Sequence, residues 1–290
     1  MLLVASAAAI SIGASVLATR QAMQASPGKH ADKLLLAPMI GIIEPCILLH
    51  PGEGANQELA DGCSGAAGSA AALVESTLSG LLPRGTPARY ELGYTLPVPL
   101  LQLLREQAGD WVIDRERVQR LVRTLRETER PAIVYLFSTH FATGAPIEAA
   151  LAADPVNLSH TPAGPLGTQS YYGSAIHNWS FASTRTPLSA RRVQAAQAVL
   201  EEICRLEPRH REKIKGVTLL GELHHLFPDF EKGMGFALPY RVTDYSEASR
   251  QGFREFLRDR YRSIERLNSA TGSHWAAFDQ VEPPSKDVRR

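Results

Sequence analysis

Gly216-Val217-Thr218-Leu219-Leu220-Gly221-Glu222 decides how this chain of 290 residues is read. Four apolar or β-branched residues stand between glycines, and the run stops at an acid. A short, continuous apolar run bounded by turn residues is the pattern of a strand buried on both faces. A carboxylate at the end of such a strand is held rigidly at the mouth of a cleft, where parallel α/β proteins keep their chemistry.

Upstream, the same pattern recurs with helices between. Leu34 to Ile43 reads as a strand ending at Glu44-Pro45, Arg89 to Leu96 as a second closed by Pro97 and Pro99, and Ala132 to Phe137 as a third. Between them, Ser69 to Leu82 places Ala71, Leu73, Val74, Leu78 and Leu81 at helical spacing. A helix opening at Asp114 turns Val118, Leu121, Val122 and Leu125 inward and its Arg and Glu residues outward. Ser189 is expected to cap a further helix, with Val193, Ala196, Val199, Leu200 and Ile203 inward. Strand, helix, strand, helix with apolar strands means βα units and a parallel sheet. Thr143 to Pro187 interrupts this rhythm with Gly, Pro, Ser and Asn, and carries Tyr171, Tyr172, Trp179 and Phe181. So long a connection with such aromatics reads as an ordered substrate loop. Downstream, Tyr245 to Leu267 reads as one amphipathic helix with Phe253, Phe256, Leu257, Tyr261 and Ile264 on one stripe, followed by Trp275 and Phe278 as core residues.

The order Tyr245-Ser246, Phe253-Arg254-Glu255-Phe256-Leu257, Tyr261-Arg262-Ser263-Ile264, Leu267-Asn268, Gly272, Trp275 resembles the family 42 β-galactosidases and their relatives in the retaining glycoside hydrolase clan. The resemblance is strongest over residues 216–284. It implies an α/β fold, a (β/α)8 TIM-barrel, of which four βα units are counted here, and it makes Glu222 the general acid/base. In that family an Asn precedes the acid and contacts the sugar; Gly221 stands in its place. The nucleophile of the family lies on the seventh strand, so the chain is expected to hold the N-terminal part of a barrel. One domain is expected over residues 30–284, after an N-terminal segment over residues 1–25.

Substrate contacts are expected from strand ends and aromatics. Glu44 ends strand one, His140 follows strand three, and His224 follows the acid at once; Trp179 and Tyr172 suit a platform for the apolar face of a pyranose. Glu91, inside strand two, could also reach the cleft, but it alternates with Tyr90 and reads as structural. His224 and His225 are adjacent and lack the further spaced partners of a metal site, so no metal and no cofactor is expected. The partner is a carbohydrate.

Composition agrees with a neutral ligand. Net charge is +1, from 31 basic and 30 acidic residues, which argues against nucleic acid. Hydrophobic residues make up 44%, enough for a folded core. Cys46, Cys63 and Cys204 read first as unpaired thiols; if the chain is exported, Cys46 and Cys63 close a small loop. Leu2 to Leu17 is an apolar, Ala-rich run before the first charge at Arg20. It reads as a secretory signal or a membrane anchor over residues 2–18, and so as an extracytoplasmic protein. Two functions fit: hydrolysis of a β-linked oligosaccharide or polysaccharide, or a non-catalytic carbohydrate-binding or exopolysaccharide-export barrel protein without the nucleophile.

Overall fold

The computed structural model describes residues 33–48, 63, 69–81, 90–137, 145–171, 174–180, 186–219 and 244–284. Strand β1 (Leu34–Leu36) leads through a 3-10 turn over Gly41–Ile43 into the short helix α1 (Glu44–Leu48). Helix α2 (Ala70–Leu81) precedes β2 (Tyr90–Leu92) and β3 (Tyr94–Pro99). A hairpin, β4 (Leu104–Gln107) and β5 (Asp110–Ile113), then leads to α3 (Arg115–Glu127) and β6 (Ala132–Phe137). Helix α4 (Pro146–Ala152) and two small hairpins come next. The hairpins are β7 (His160–Thr161) with β8 (Gly164–Pro165), and β9 (Gln169–Tyr171) with β10 (Ser174–Ile176). Helices α5 (Pro187–Cys204) and α6 (Pro208–Arg211) lead to β11 (Ile214–Thr218). Helices α7 (Glu247–Tyr261) and α8 (Ile264–Thr271) follow.

The four expected strands are parallel neighbours in chain order, but the fourth runs Ile214–Thr218 and is not buried on both faces: as an edge strand it leaves Val217 exposed, and Leu219 just beyond it is exposed too. β1 pairs with β2, Met39 bridges to Thr95, and β3, β6 and β11 form one ladder with β6 in the middle. The sheet is open. Register sorts its residues: Tyr94 with Ala132, Leu96 with Val134 and Val98 with Leu136 lie on the face covered by helices, and all six are buried. The alternate residues Thr95, Ile133 and Tyr135 lie on the other face and are half-buried.

The helices that cover the sheet follow from sequence. Asp114 caps α3, its Oδ1 accepting from the Glu116 and Arg117 amides at 3.1 Å each. Val118, Leu121, Val122 and Leu125 are buried as their spacing requires. In α2, Ala71, Val74 and Leu78 are buried, while Leu81 at the last turn is exposed. Arg130 ties α2 to the sheet. Its guanidinium donates to Glu75 Oε2 at 3.1 Å, Leu92 O at 3.3 Å and Ser79 Oγ at 3.2 Å. A buried cation is tolerated only when satisfied in this way. Gly93, between β2 and β3, donates its N–H to Leu36 O at 2.9 Å. A Cβ there would sit 2.3 Å from Pro131 O, so no side chain fits between the strands.

Four local readings are corrected. Strand one stops at Leu36, because the apolar residues beyond it bury Ile43 and Ile47 at helical spacing; Glu44 therefore opens α1 and does not end a strand. Thr186, not Ser189, caps α5, with Pro187 at the first helical position and Thr186 Oγ1 accepting from the Ser189 amide at 3.1 Å. Its buried stripe is Leu188, Arg192, Ala195 and Val199, which leaves Val193 exposed. Tyr245–Leu267 is two helices: Arg262 takes a left-handed conformation (φ 65°) and Ser263 caps α8. Trp275 is about one-third exposed and Phe278 half-buried in a small satellite cluster around Leu257, Leu267 and Val281, apart from the main core.

Cys46 and Cys63 are joined, with Cα atoms 5.2 Å apart, so the reading of three free thiols holds only for Cys204. The bond anchors residue 63 to α1. For a separation of 17 residues, chain-entropy arguments give about 3 kcal/mol. Replacing both cysteines by serine should lower unfolding free energy in urea by about that amount. An unchanged midpoint and slope would show that the loop gains nothing from closure.

Candidate functional site

In a parallel sheet every strand ends on the same side, and the connections that leave those ends gather there. Two such connections are in contact. One leaves β6 and reaches α5; the other follows β11 and reaches α7. Asp244 joins them. Its Oδ1 accepts from the His160 amide at 2.9 Å and the Ser246 amide at 2.8 Å. Its Oδ2 accepts from Ser180 Oγ at 2.6 Å, Ser249 Oγ at 2.7 Å and Ser246 Oγ at 2.9 Å. Burial alone would push this carboxyl up; the hydrogen bonds from Ser180, His160, Ser246 and Ser249 outweigh it and hold it below the usual range. The sequence carries the signal as Asp-x-Ser-x-x-Ser at a helix start, but sequence reasoning stopped at Tyr245-Ser246 and missed Asp244.

Above this junction lies a cleft of about 640 Å³, walled by the β7–β8 hairpin on one side and by Tyr245, Arg250, Trp275 and residues 282–284 on the other. Tyr245 donates its hydroxyl to the carbonyls of Pro283 (3.2 Å) and Pro284, which closes the C-terminal wall. Glu282 accepts from Arg254 at 2.5 Å and pairs with Arg250 at 3.5 Å. Asn268 fixes the Trp275 backbone: its Nδ2 donates to Trp275 O at 2.8 Å and its Oδ1 accepts from Trp275 N at 3.0 Å. His160 meets Pro155 O through Nε2 at 2.9 Å.

The residues singled out in the sequence fare differently. Glu222, His140, His224 and Tyr172 lie outside the described residues. Glu44 is half-buried at the start of α1, and burial raises its carboxyl above the ordinary value. Glu91 is exposed on β2. Trp179 is 6% exposed, in the main core, with its ring 5.0 Å from that of His177. An indole so covered offers no face to a sugar, and packing of the long connection is its role. That connection is not irregular, since it holds α4 and two hairpins. The acid most perturbed by burial is one that sequence reasoning passed over. Glu148 of α4 is pushed up to about 7 by burial, against the pull of the Ala145 backbone and of Arg192, which burial lowers to about 10. It lies beneath α5, away from the cleft residues, and serves packing. Among the described residues there is no cluster of His, Cys, Asp and Glu suited to a metal ion.

Comparison with known proteins adds one family. Residues 235–289 match the family model described as β-galactosidase, glycoside hydrolase family 42. No curated protein matches the chain. Among solved structures, the catalytic domain of β-amylase from Paenibacillus polymyxa is similar at 15% identity and a TM-score of 0.39. The match covers 67% of this chain and 46% of that one, so the chain spans less than half of that domain. The stretch matched by the family model includes α7, α8 and the Trp275 wall.

Because Asp244 is held below its unfolded value, it stabilises the junction above the ordinary carboxylate range of about 3.9, and that contribution is lost as pH falls through the folded value. Asp244→Asn should cost about 2–3 kcal/mol at neutral pH, since its amide would face hydroxyl and amide donors. Hydrogen exchange should show α7 and α8 opening before the sheet. Protection equal to that of the wild type would remove Asp244 as the tie.

Proposed function

We propose that the chain is a glycoside hydrolase-like protein acting on a β-linked oligosaccharide or polysaccharide, with Glu222 as general acid/base. The observation that carries this reading is the match of residues 235–289 to the family 42 β-galactosidase model. It begins thirteen residues after Glu222 and covers the resemblance read from Tyr245 onward. The open parallel sheet supports it: β11 ends at Thr218, four residues before Glu222 in the sequence. In this reading the sheet is the first half of a (β/α)8 barrel.

The chemistry asked of Glu222 is the proton. In retaining hydrolysis one carboxyl protonates the leaving glycosidic oxygen while a second carboxylate, roughly 5–5.5 Å away, attacks the anomeric carbon. The first then returns as base to activate the water that releases the sugar. Gly221 in place of the family's Asn favours a second reading, a carbohydrate-binding barrel protein that does not turn over. The apolar segment 2–18 and the Cys46–Cys63 bond both support export, because disulfides persist in oxidising compartments.

An aryl β-glycoside series tests the acid role. Glu222→Gln should lower kcat/KM by about 100-fold or more on poor leaving groups. On a dinitrophenyl glycoside the loss should be small, and azide should restore turnover. An equal rate for variant and wild type on poor leaving groups would remove Glu222 from the mechanism. Sugar binding without turnover by either protein is the outcome of the second reading.

A further inference from the structure

The Trp275 cleft has a chemistry of its own. Trp275 is 36% exposed and lines the cleft, and Asn268 fixes its backbone on both sides. Glu282 and Arg250, which also line it, belong to a balanced set of two acids and two guanidiniums: Glu282 pairs with Arg254 and Arg250, and Arg250 donates to Glu247 at 2.7 Å. Glu282 is 43% exposed in its side chain, and Arg254 and Arg250 occupy only part of its accepting capacity. Arg250 Nε is buried and finds no hydrogen-bond partner among the described residues. Tyr245, His160 and Thr161 also line the cleft.

An aromatic face, a carboxylate and a guanidinium around one volume match a ligand with an apolar face and a rim of hydroxyls. A volume of about 640 Å³ falls within the range of small-ligand sites. An ionic ligand fits less well, because Glu247 and Glu282 balance Arg250 and Arg254. A purely hydrophobic ligand fits less well too, because His160, Thr161, Arg250 and Glu282 share the lining with the prolines. We propose that this cleft binds a neutral pyranose unit of a carbohydrate chain, stacked on Trp275 and hydrogen-bonded to Glu282 and Arg250. Its lining comes from the connection that follows β6 and from the segment that follows β11. The assignment rests on the carbohydrate reading above but uses none of the residues given to catalysis.

Calorimetric titration of the full chain with cellotetraose, xylotetraose, β-1,4-galactotetraose and laminaritetraose tests it. At least one should bind. Trp275→Ala should weaken that binding by about tenfold or more, the loss of one stacked ring. Trp275→Phe should retain most of the affinity, which controls for folding, and Glu282→Gln should weaken it through a second residue. Glu222→Gln should bind as the wild type does. Affinity unchanged by both Trp275→Ala and Glu282→Gln overturns the cleft. If Glu222→Gln alone abolishes that affinity, the carbohydrate reading survives without it. The absence of binding to any of the four also overturns the cleft. In that case Glu222-dependent hydrolysis of aryl glycosides would show that the catalytic reading stands by itself.

Discussion

The rest of this molecule depends on β1, β2, β3, β6 and β11 running one way. Parallel neighbours cannot be joined by a tight turn, so each connection must leave the carboxyl end, cross back and re-enter at the amino end. Two consequences follow at once. The crossing segments become helices that cover one face of the sheet, which is why Val118, Leu121 and Val122 of α3 are buried against it. The departing segments collect beyond Phe137 and Thr218, and there polar side chains can face one another without disturbing the core.

That collection has to be tied together, and Asp244 does it with five donors on one carboxylate. The tie joins the C-terminal helices to the rest, together with the Tyr245 amide, which donates to His160 O at 2.9 Å. Their apolar cluster, around Leu257, Leu267 and Val281, is separate from the large core beneath the sheet. A polar junction between two apolar clusters sets position more than it adds stability, since its donors and acceptor were hydrated before folding. Cleft geometry therefore inherits its accuracy from Asp244 on one side and from the Asn268 clamp on Trp275 on the other.

The parts legible in sequence were those whose burial pattern has one interpretation. β6 is apolar for six residues and flanked by a helix on each side, and α3 alternates charge and aliphatic at 3.6-residue spacing. The apolar stretch from Leu34 to Leu48 has two interpretations, strand or buried helix, and periodicity alone does not separate them. The break at Arg262 was hidden because no glycine marks it; Ser263 as a cap is the only local sign. In the site, Trp275 was read as core because indoles usually are, and Trp179 as exposed because its segment is rich in glycine. Exposure is decided by what packs against a residue from distant parts of the chain, and Leu158, which bridges to Trp179, gives no hint of that in its own neighbourhood.

Gly93 carries a lesson for anyone scanning this chain by mutation. The carbonyl of Pro131 lies where any Cβ would have to go. Position 93 therefore accepts one letter of the twenty, and a saturation library would show it as a dark column. That intolerance would look like the mark of a working residue, yet Gly93 has no side chain to offer a substrate. A map of essential positions for this protein needs an expression or folding readout beside the activity readout, or the tightest strand contact in the sheet will be mistaken for chemistry.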